Sequence, residues 1–225
     1  MHREIVRKPW GFEYVYFKSQ DVAVLHLRIL SGNATSLHCH PKKKTAMLFL
    51  RGAGTVRFLN SEVPFSAPFH MIIRPGLFHQ IAATTDEDLE CMEIEAPPDP
   101  HDLVRLEDSY GREHAGYENA VVGDDAQSAM SIRLLDALEA EDQWMSICDD
   151  VPLFQGWFSD VRTLAEGSAE DASIVILSGE LQSDLGHTLL GPSDIVSGTT
   201  IQRLSRRFNQ SSPMKVLALD YGKGE

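Results

Sequence analysis

Three histidines in this chain have the spacing of metal ligands on β-strands. One residue separates His38 from His40, and His79 follows a Pro-Gly dipeptide farther along the chain. Side chains at positions i and i+2 of a strand point to the same side, so the first two imidazoles converge. A third imidazole from another strand can complete a set around one divalent ion. The spacing therefore predicts a metal site built from His38, His40 and His79.

The identity of the ion is left open by these ligands. Imidazole suits several transition metals, and the expected cofactor is zinc, iron, nickel or manganese. Three neutral imidazoles leave the charge of a divalent ion unbalanced until water, hydroxide or an anionic substrate binds. The alternative is a site without metal that keeps its histidines for hydrogen bonding or acid–base chemistry.

Other polar residues near these positions are candidates to bind substrate or to move a proton. Lys43 could hold a phosphate or carboxylate, although a run of three lysines is more simply a solvated loop. Glu93 and Glu95 share one face of a strand and either point into a barrel, as a base or a carboxylate ligand, or face solvent. His26 is a further inward candidate for the base. The hydroxyl of Thr45 could touch a ligand.

The composition is that of an acidic globular chain. Of its 225 residues 43% are hydrophobic, and the formal net charge is -13. This charge argues against nucleic acid or an anionic membrane as a partner. Residues 1–118 hold 13 of the 20 Lys and Arg residues but only 16 of the 33 Asp and Glu residues. The half that bears the histidines therefore keeps most of the cations that an anionic substrate would need.

The expected location is the cytoplasm. The sequence contains no run of about 20 apolar residues that could cross a bilayer, and its first residues lack the apolar core of a signal peptide. The three cysteines, Cys39, Cys91 and Cys148, are scattered. An odd number at such positions argues against a disulfide framework and fits a reducing compartment.

The histidines lie in a region that alternates between short strands and turns. Its predicted strands, with no helical pattern between them, cover 21–29, 36–40, 45–50, 55–59, 71–74, 79–83 and 89–96. Such a series indicates an antiparallel barrel or jelly roll. Farther on, residues 173–181 echo residues 46–54, and residues 191–200 take the place of the turn before His79. This is a weak internal repeat in which His187 is the sole histidine.

The predicted organisation is a metal-binding domain over 1–117, a linker over 118–130 and a degenerate second domain over 131–225. The linker follows from composition. The second domain would be structural or would shape the substrate site.

The histidine motif, with a glycine on each side and a Pro-Gly before the third histidine, resembles the cupin superfamily signature. Residues 7–113 are more specifically similar to the cupin domain of type II mannose-6-phosphate isomerases. The motifs of that family are matched by Lys8–Glu13, by Ser36–Thr45 and by Asp102–Arg112. The chain also resembles small cupins encoded among surface-polysaccharide and sugar-nucleotide genes.

The resemblance implies an all-β fold, a double-stranded β-helix of the cupin or jelly-roll type, in two tandem lobes of which the second is degenerate. It implies that Arg105 faces the substrate; the alternative is an ion pair with Asp102, Glu107 or Asp108. Cupins are commonly homodimers, and a homodimer is expected here.

The chain departs from the isomerase pattern at the ligand positions. Thr45 stands where the family has a metal-binding glutamate, and His38 stands where it has a glutamine ligand. Lys43 replaces an arginine, which exchanges a bidentate fork for a point charge. In the general cupin pattern an asparagine follows the third histidine, and here it is Ala83. The fold inference does not depend on these positions, but the mannose-6-phosphate isomerase activity does not carry over.

The leading hypothesis is a metal-dependent isomerase or epimerase acting on a sugar, sugar phosphate or nucleotide sugar. The ion would act as a Lewis acid, Glu93, Glu95 or His26 would move a proton, and Lys43 and Arg105 would hold the anionic end. One alternative, from fold analogy, is a three-histidine iron-dependent dioxygenase. Another is a non-catalytic sugar-binding or regulatory cupin, favoured by the missing glutamate.

Overall fold

The computed structural model describes residues 5–114, 143–147 and 151–221. The chain divides into two compact units, the first containing residues 5–114 and the second containing the other described residues. The linker expected over 118–130 lies outside the described residues, as does Cys148, so the domain boundaries stay a prediction. In the described part of the chain no helix is long and apolar enough to span a bilayer.

The first unit is made of antiparallel strands in two sheets. Its described strands are β1 (Ile5–Lys8), β2 (Gly11–Lys18), β3 (Ala23–Ile29), β4 (Leu37–Cys39), β5 (Lys44–Arg51), β6 (Ala53–Phe58), β7 (Glu62–Ser66), β8 (Phe69–Ile73), β9 (His79–Ala83), β10 (Leu89–Ala96) and β11 (Val104–Glu107). The first sheet has the order β1-β2-β3-β10-β5-β8, and the second has the order β11-β4-β9-β6-β7.

The strand order of the first unit defines a double-stranded β-helix. Within the two sheets, the eight strands β3 to β10 form the four-strand sets β3-β10-β5-β8 and β4-β9-β6-β7. Each of these sets pairs early strands with late ones, as in the eight-stranded jelly roll of cupins. The fold class expected from the sequence is confirmed: the chain is mostly β, with antiparallel sheets. Strands β1, β2 and β11 extend the two sets at their edges.

The apolar core of the first unit lies between the two sheets and is filled by alternate residues of each strand. Met47 and Phe49, two residues apart on β5, point into it together with Leu27 of β3. Phe49 packs on Phe65 with ring centroids 4.0 Å apart. Burial of a side chain of this size stabilises the fold by about 1.5–3 kcal/mol. Cys39 is buried, and its thiol is free.

The second unit has a comparable strand order. Its described elements are β12 (Gln143–Ile147), β13 (Val151–Phe158), α1 (Val161–Glu166), β14 (Ser168–Ser178), β15 (Leu181–Gln182), β16 (Thr188–Leu190), β17 (Ile195–Ser197), α2 (Gly198–Ser205), β18 (Asn209–Gln210) and β19 (Met214–Tyr221). The sheets have the orders β12-β13-β19-β14-β17 and β16-β15-β18. Strands β13-β19-β14-β17 thus correspond to β3-β10-β5-β8, and β18-β15-β16 correspond to β9-β6-β7.

A short helix occupies the place of β4 in this second arrangement. Helix α1 lies between β13 and β14, where the first unit has the strand that carries its His-X-His motif. Asp160 is the N-cap of the helix, and its side chain accepts a hydrogen bond from the backbone N–H of Arg162 at 2.9 Å. The helix buries Val161 and Leu164. Residues 191–200 contain the turn before β17, β17 itself and the start of α2, so they span more than the expected counterpart of the turn before His79.

Candidate metal centre

Strands β4 and β9 are neighbours in the second sheet, and they bring the three histidines together. His38 of β4 is paired in register with His79, the first residue of β9, and His40 follows the end of β4. Ring centroids are 5.0 Å apart for His38 and His40, 4.5 Å for His38 and His79, and 5.7 Å for His40 and His79. One nitrogen from each ring lies within 4.8 Å of the others. The residues expected to be metal ligands therefore meet at one point.

Backbone carbonyls fix which nitrogen of each ring carries the proton. In His38 and His79, Nδ1 donates to the carbonyl oxygen two residues earlier, at 2.9 and 3.0 Å. In His40, Nδ1 donates to the carbonyl oxygen of Asp102 at 2.6 Å. Because a carbonyl oxygen only accepts, each Nδ1 bears the hydrogen and each Nε2 keeps a lone pair. This second hydrogen bond is typical of metal-ligating histidines, so the residues fit a metal ion.

Burial keeps two of the rings neutral, which is the form that binds a metal. It lowers the pKa of His79 to about 4. It also lowers the pKa of His38 well below the usual value, and the neighbouring imidazoles of His79 and His40 lower it further. For His40, burial is outweighed by the hydrogen bond and charge of Glu93, which raise the pKa above the usual value. His40 is therefore the ring most closely associated with a carboxylate.

Two carboxylates of β10 reach the histidines from the first sheet. Oε1 of Glu93 and Oε1 of Glu95 each lie 3.8 Å from Nε2 of His40, and the three residues form a second group that could hold an ion. The charge of Glu93 acts on all three histidines, whereas that of Glu95 acts on His40. Both side chains face the barrel interior rather than solvent, and Glu93 is the better placed to serve as a ligand.

Thr45 lies beside this carboxylate pair. Its partner in the register between β5 and β10 is Glu95, so the carboxylate missing at position 45 is present on the adjacent strand. The Thr45 side chain is buried, and its hydroxyl has no hydrogen-bond partner among the residues that the structure describes. Contact of this hydroxyl with a ligand stays a prediction.

Lys43 is buried within the site, with 2% of its surface exposed, and its ammonium forms an ion pair with Glu95. The solvated-loop interpretation therefore applies to Lys42, which is exposed, and not to Lys43. Burial and the charge of Glu93 raise the pKa of Glu95 to about 7, against the opposing effect of Lys43. The hydrogen bond and charge of His40 overcome burial and lower the pKa of Glu93 to about 2. The site thus contains one firmly ionised carboxylate and one carboxyl that binds a proton more readily.

A cavity of about 290 Å³ opens beside the imidazoles. Its apolar walls include Val15, Ala23, Leu25, Leu27, Pro98, Pro100 and Leu103. Lys8 and Glu13, which the sequence motifs do not identify as site residues, form a buried ion pair of 3.2 Å and line the same cavity. Glu13 lies on β2, two strands from β10, which corresponds to about 10 Å across the sheet. Glu13 and Val15 are two residues apart on β2 and so share one face of the strand. This spacing is the sequence signal that could have identified them as residues lining the cavity.

Arg105 also lines the cavity, and its partner in the register between β11 and β4 is His38. Among the carboxylates named as alternative partners, Asp108 accepts two hydrogen bonds from the guanidinium of Arg112, Glu107 pairs with Arg57, and Asp102 accepts from the backbone N–H groups of Lys42 and Lys43. These contacts leave both alternatives for Arg105 open. The position of Arg105 suits contact with a substrate, and that role stays a prediction.

The structure does not bring His26 to this site. In the pairing of β3 with β10, His26 lies opposite Met92, whereas its neighbour Leu25 lies opposite Glu93. Since successive side chains alternate between the two faces of a sheet, His26 points away from the barrel interior. Its Nε2 lies 3.3 Å from a carboxylate oxygen of Glu90 instead. This corrects the expectation that His26 moves a proton at the metal site.

Comparisons with known proteins give distant likenesses. No protein-family model and no curated protein matches the chain. KdgF from Halomonas sp. is 14% identical over 41% of this chain and 84% of that protein, with a TM-score of 0.39. An uncharacterized conserved protein with a double-stranded beta-helix domain from Klebsiella pneumoniae is 18% identical over 47% of this chain and 86% of that protein, with a TM-score of 0.40.

The capsular polysaccharide assembling protein CapF from Staphylococcus aureus is 21% identical over 48% of this chain and 32% of that protein, with a TM-score of 0.43. At these values the strand order, rather than any of the likenesses, defines the fold of the first unit. That unit is a double-stranded β-helix of the cupin type, with buried His and Glu side chains that could bind a metal ion.

Proposed function

We propose that the first unit is a metal-dependent isomerase or epimerase that acts on a sugar, sugar phosphate or nucleotide sugar. The observation that carries the proposal is the convergence of three imidazoles, one nitrogen of each within 4.8 Å of the others, whose rings each donate Nδ1–H to a backbone carbonyl. Nitrogens that carry a lone pair and no hydrogen cannot form hydrogen bonds with one another. Three of them at one buried point are instead well arranged to bind a divalent ion.

The proposed ligands are His38, His40 and His79, with Glu93 as a fourth. When bound, the ion would polarise a carbonyl or hydroxyl oxygen of the substrate as a Lewis acid. Glu93 would supply the negative charge that three neutral imidazoles lack. The dioxygenase alternative was based on a neutral ligand set, but sets of histidine and carboxylate ligands also hold iron in oxygenases, so an oxygen-consumption assay is needed to distinguish the two reactions.

Glu95 is the proposed acid–base residue. It lies beside the ligand set, faces the cavity, and has its carboxylate held by Lys43. From this position it could take a proton from a substrate carbon and return it to the same or a neighbouring carbon. Because Lys43 is engaged with Glu95, we assign the anionic end of the substrate to Arg105 rather than to Lys43.

The size of the cavity is consistent with a small substrate. A volume of about 290 Å³ is at the lower end of the range for ligand pockets. The motif resemblance to the cupin domain of type II mannose-6-phosphate isomerases supports a carbohydrate, and the cationic balance of this half of the chain supports an anionic one.

The first test is metal content, measured by plasma mass spectrometry on protein purified without a metal-affinity tag. We expect about one ion per chain, loss of that ion in the His38→Ala/His40→Ala double variant, and retention in His187→Ala, a control at an exposed position of the second unit. Protein that takes up no metal even after supplementation would overturn the proposal.

The same preparation then tests the reaction. The metal-loaded protein is incubated in deuterium oxide with hexose phosphates and nucleoside diphosphate hexoses, and deuterium uptake at carbon is followed by NMR. Exchange that Glu95→Gln abolishes without loss of metal supports the proposal. Substrate-dependent oxygen consumption with ferrous iron would support the dioxygenase instead, and thermal stabilisation by a sugar without turnover would support a binding protein.

A further inference from the structure

Asp102 contacts the segment that carries His40 through both its main chain and its side chain. Its carbonyl oxygen accepts the Nδ1–H of His40 at 2.6 Å. Its carboxylate oxygen Oδ2 accepts the backbone N–H groups of Lys42 and Lys43 at 2.9 and 2.8 Å. Asp102 is 6% exposed. One buried residue therefore orients His40, a candidate metal ligand, and also holds the backbone amides of Lys42 and Lys43, which follow His40 in the chain.

The same residue belongs to a wall of the cavity, which we define as residues 97–103. Pro98, Pro100 and Leu103 of this wall line the cavity. Within the wall, the backbone N–H of Asp102 donates to the carbonyl oxygen of Asp99 at 3.2 Å. A displacement of the wall would therefore move the carbonyl group that orients His40.

We propose that Asp102 is a positioning residue that couples metal binding at His40 to the ordering of the cavity wall. This inference rests on the proposed metal site. The hydrogen bond to Nδ1 selects the tautomer and fixes the plane of the ring, and outer contacts of this kind tune metal affinity. Coupling between two sites is reciprocal, so metal binding orders the wall and a disordered wall weakens metal binding.

Substitutions at Asp102 and at a neighbouring aspartate separate this role from general damage to the wall. Asp102→Ala removes the acceptor of two N–H groups but leaves the main-chain carbonyl, and Asp102→Asn keeps one oxygen that can accept. Asp99→Ala is the matched control, because the Asp99 carboxylate accepts the N–H of His101 within the wall, at 2.9 Å.

The affinity of the full chain for Zn²⁺ is measured by competition with a chromophoric chelator, after circular dichroism has shown that each variant is folded. We expect Asp102→Ala to weaken binding measurably, but by less than the about 100-fold upper range for loss of a contact that orients a ligand, because the main-chain carbonyl that accepts from His40 is kept. Asp102→Asn should have a smaller effect, and Asp99→Ala should bind as the unaltered chain does.

Hydrogen exchange gives a second readout that does not depend on activity. In the unaltered chain, Zn²⁺ should increase the protection of amides in the wall and at Lys42 and Lys43. In Asp102→Ala, at saturating Zn²⁺, the increase in the wall should be lost. If the unaltered chain binds Zn²⁺ and Asp102→Ala binds it equally well, or Asp99→Ala weakens it equally, the coupling is refuted and the metal site stands. If the unaltered chain binds no metal, both proposals fail.

Discussion

Glu93 and Glu95 are two residues apart on β10, yet their surroundings assign them different roles. The charge of Glu93 acts on all three histidines, whereas Glu95 is held by Lys43. We expect Glu93→Gln to weaken Zn²⁺ binding by about tenfold or more, since loss of a ligand should cost at least as much as loss of a contact that orients one. Glu95→Gln is the matched control and should change the affinity much less. Chelator competition at neutral pH measures both, and a larger loss in Glu95→Gln would reverse the assignment.

The sequence predicts the positions of the histidines better than those of Glu93 and Glu95, because residue spacing can be read from the sequence and strand register cannot. The i, i+2 spacing of His38 and His40 fixes a common face by itself. For Glu93 and Glu95 the spacing gives a common face but not which face, and the answer depends on how β10 pairs with its neighbours. The same uncertainty explains why the sequence wrongly suggested His26 as an inward-facing residue: it alternates along β3 with residues that do point inward.

At the scale of elements, the turn between β5 and β6 depends on a glycine. Gly52 has φ +86°, and a Cβ atom there would lie 2.7 Å from the carbonyl oxygen of Asp88. Gly32 also has a positive φ, +71°, but a Cβ atom there would meet nothing within 4 Å. Both Gly→Ala substitutions carry the cost of a left-handed backbone, about 1–2 kcal/mol. We expect Gly52→Ala to lower the free energy of unfolding by clearly more than Gly32→Ala, as measured by urea denaturation. Equal losses would show that the close approach to Asp88 has no energetic effect.

Strands with regular alternation are the elements that the sequence predicts well. The expected strands over 79–83 and 89–96 coincide with β9 and β10. Strand β7 contains a proline, Pro64, which weakens a strand pattern, and β11 is a short segment that pairs at the edge of a sheet. Helices α1 and α2 have 6 and 8 residues, which is too short for a helical period to stand out from strand alternation.

At the scale of the whole molecule, the two units share a strand order and a turn. Gly179 follows β14 as Gly52 follows β5, with φ +81°, and a Cβ atom there would lie 2.6 Å from the carbonyl oxygen of Pro213. The internal repeat seen in the sequence includes both glycines. It is weak because the second unit has α1 in place of β4, and with that strand the His-X-His motif is lost. Among the described residues, the groups that could hold a metal lie in the first unit.

The response of the whole molecule to acid follows from three carboxylates of the first unit whose pKa is lowered. For Glu93 the hydrogen bond and charge of His40 overcome burial and lower the pKa to about 2. For Asp102 the hydrogen bonds from Lys42 and Lys43 overcome burial, and for Asp108 those from Arg112 do so. An acid with a lowered pKa binds more protons in the unfolded chain, so its stabilisation is complete above the unfolded pKa, about 4, and is lost as the pH falls through the folded value.

The buried imidazoles of His38 and His79, whose pKa is also lowered, bind more protons in the unfolded chain, so the free energy of unfolding starts to fall below about pH 6.5. We expect a steeper fall below about pH 4, where the three carboxylates add their effect, and Asp108→Asn to make that part of the fall less steep. At neutral pH the variant should be less stable by roughly 1–3 kcal/mol, because Arg112 loses a partner that accepts two of its hydrogen bonds. Asp86→Asn, at an exposed position, controls for the loss of one formal charge. Urea denaturation of the metal-free protein from about pH 7 down to about pH 2, the folded pKa of Glu93, measures the free energy of unfolding of all three chains. An acid limb of unchanged slope in Asp108→Asn would show that the Asp108–Arg112 contact does not contribute to acid sensitivity.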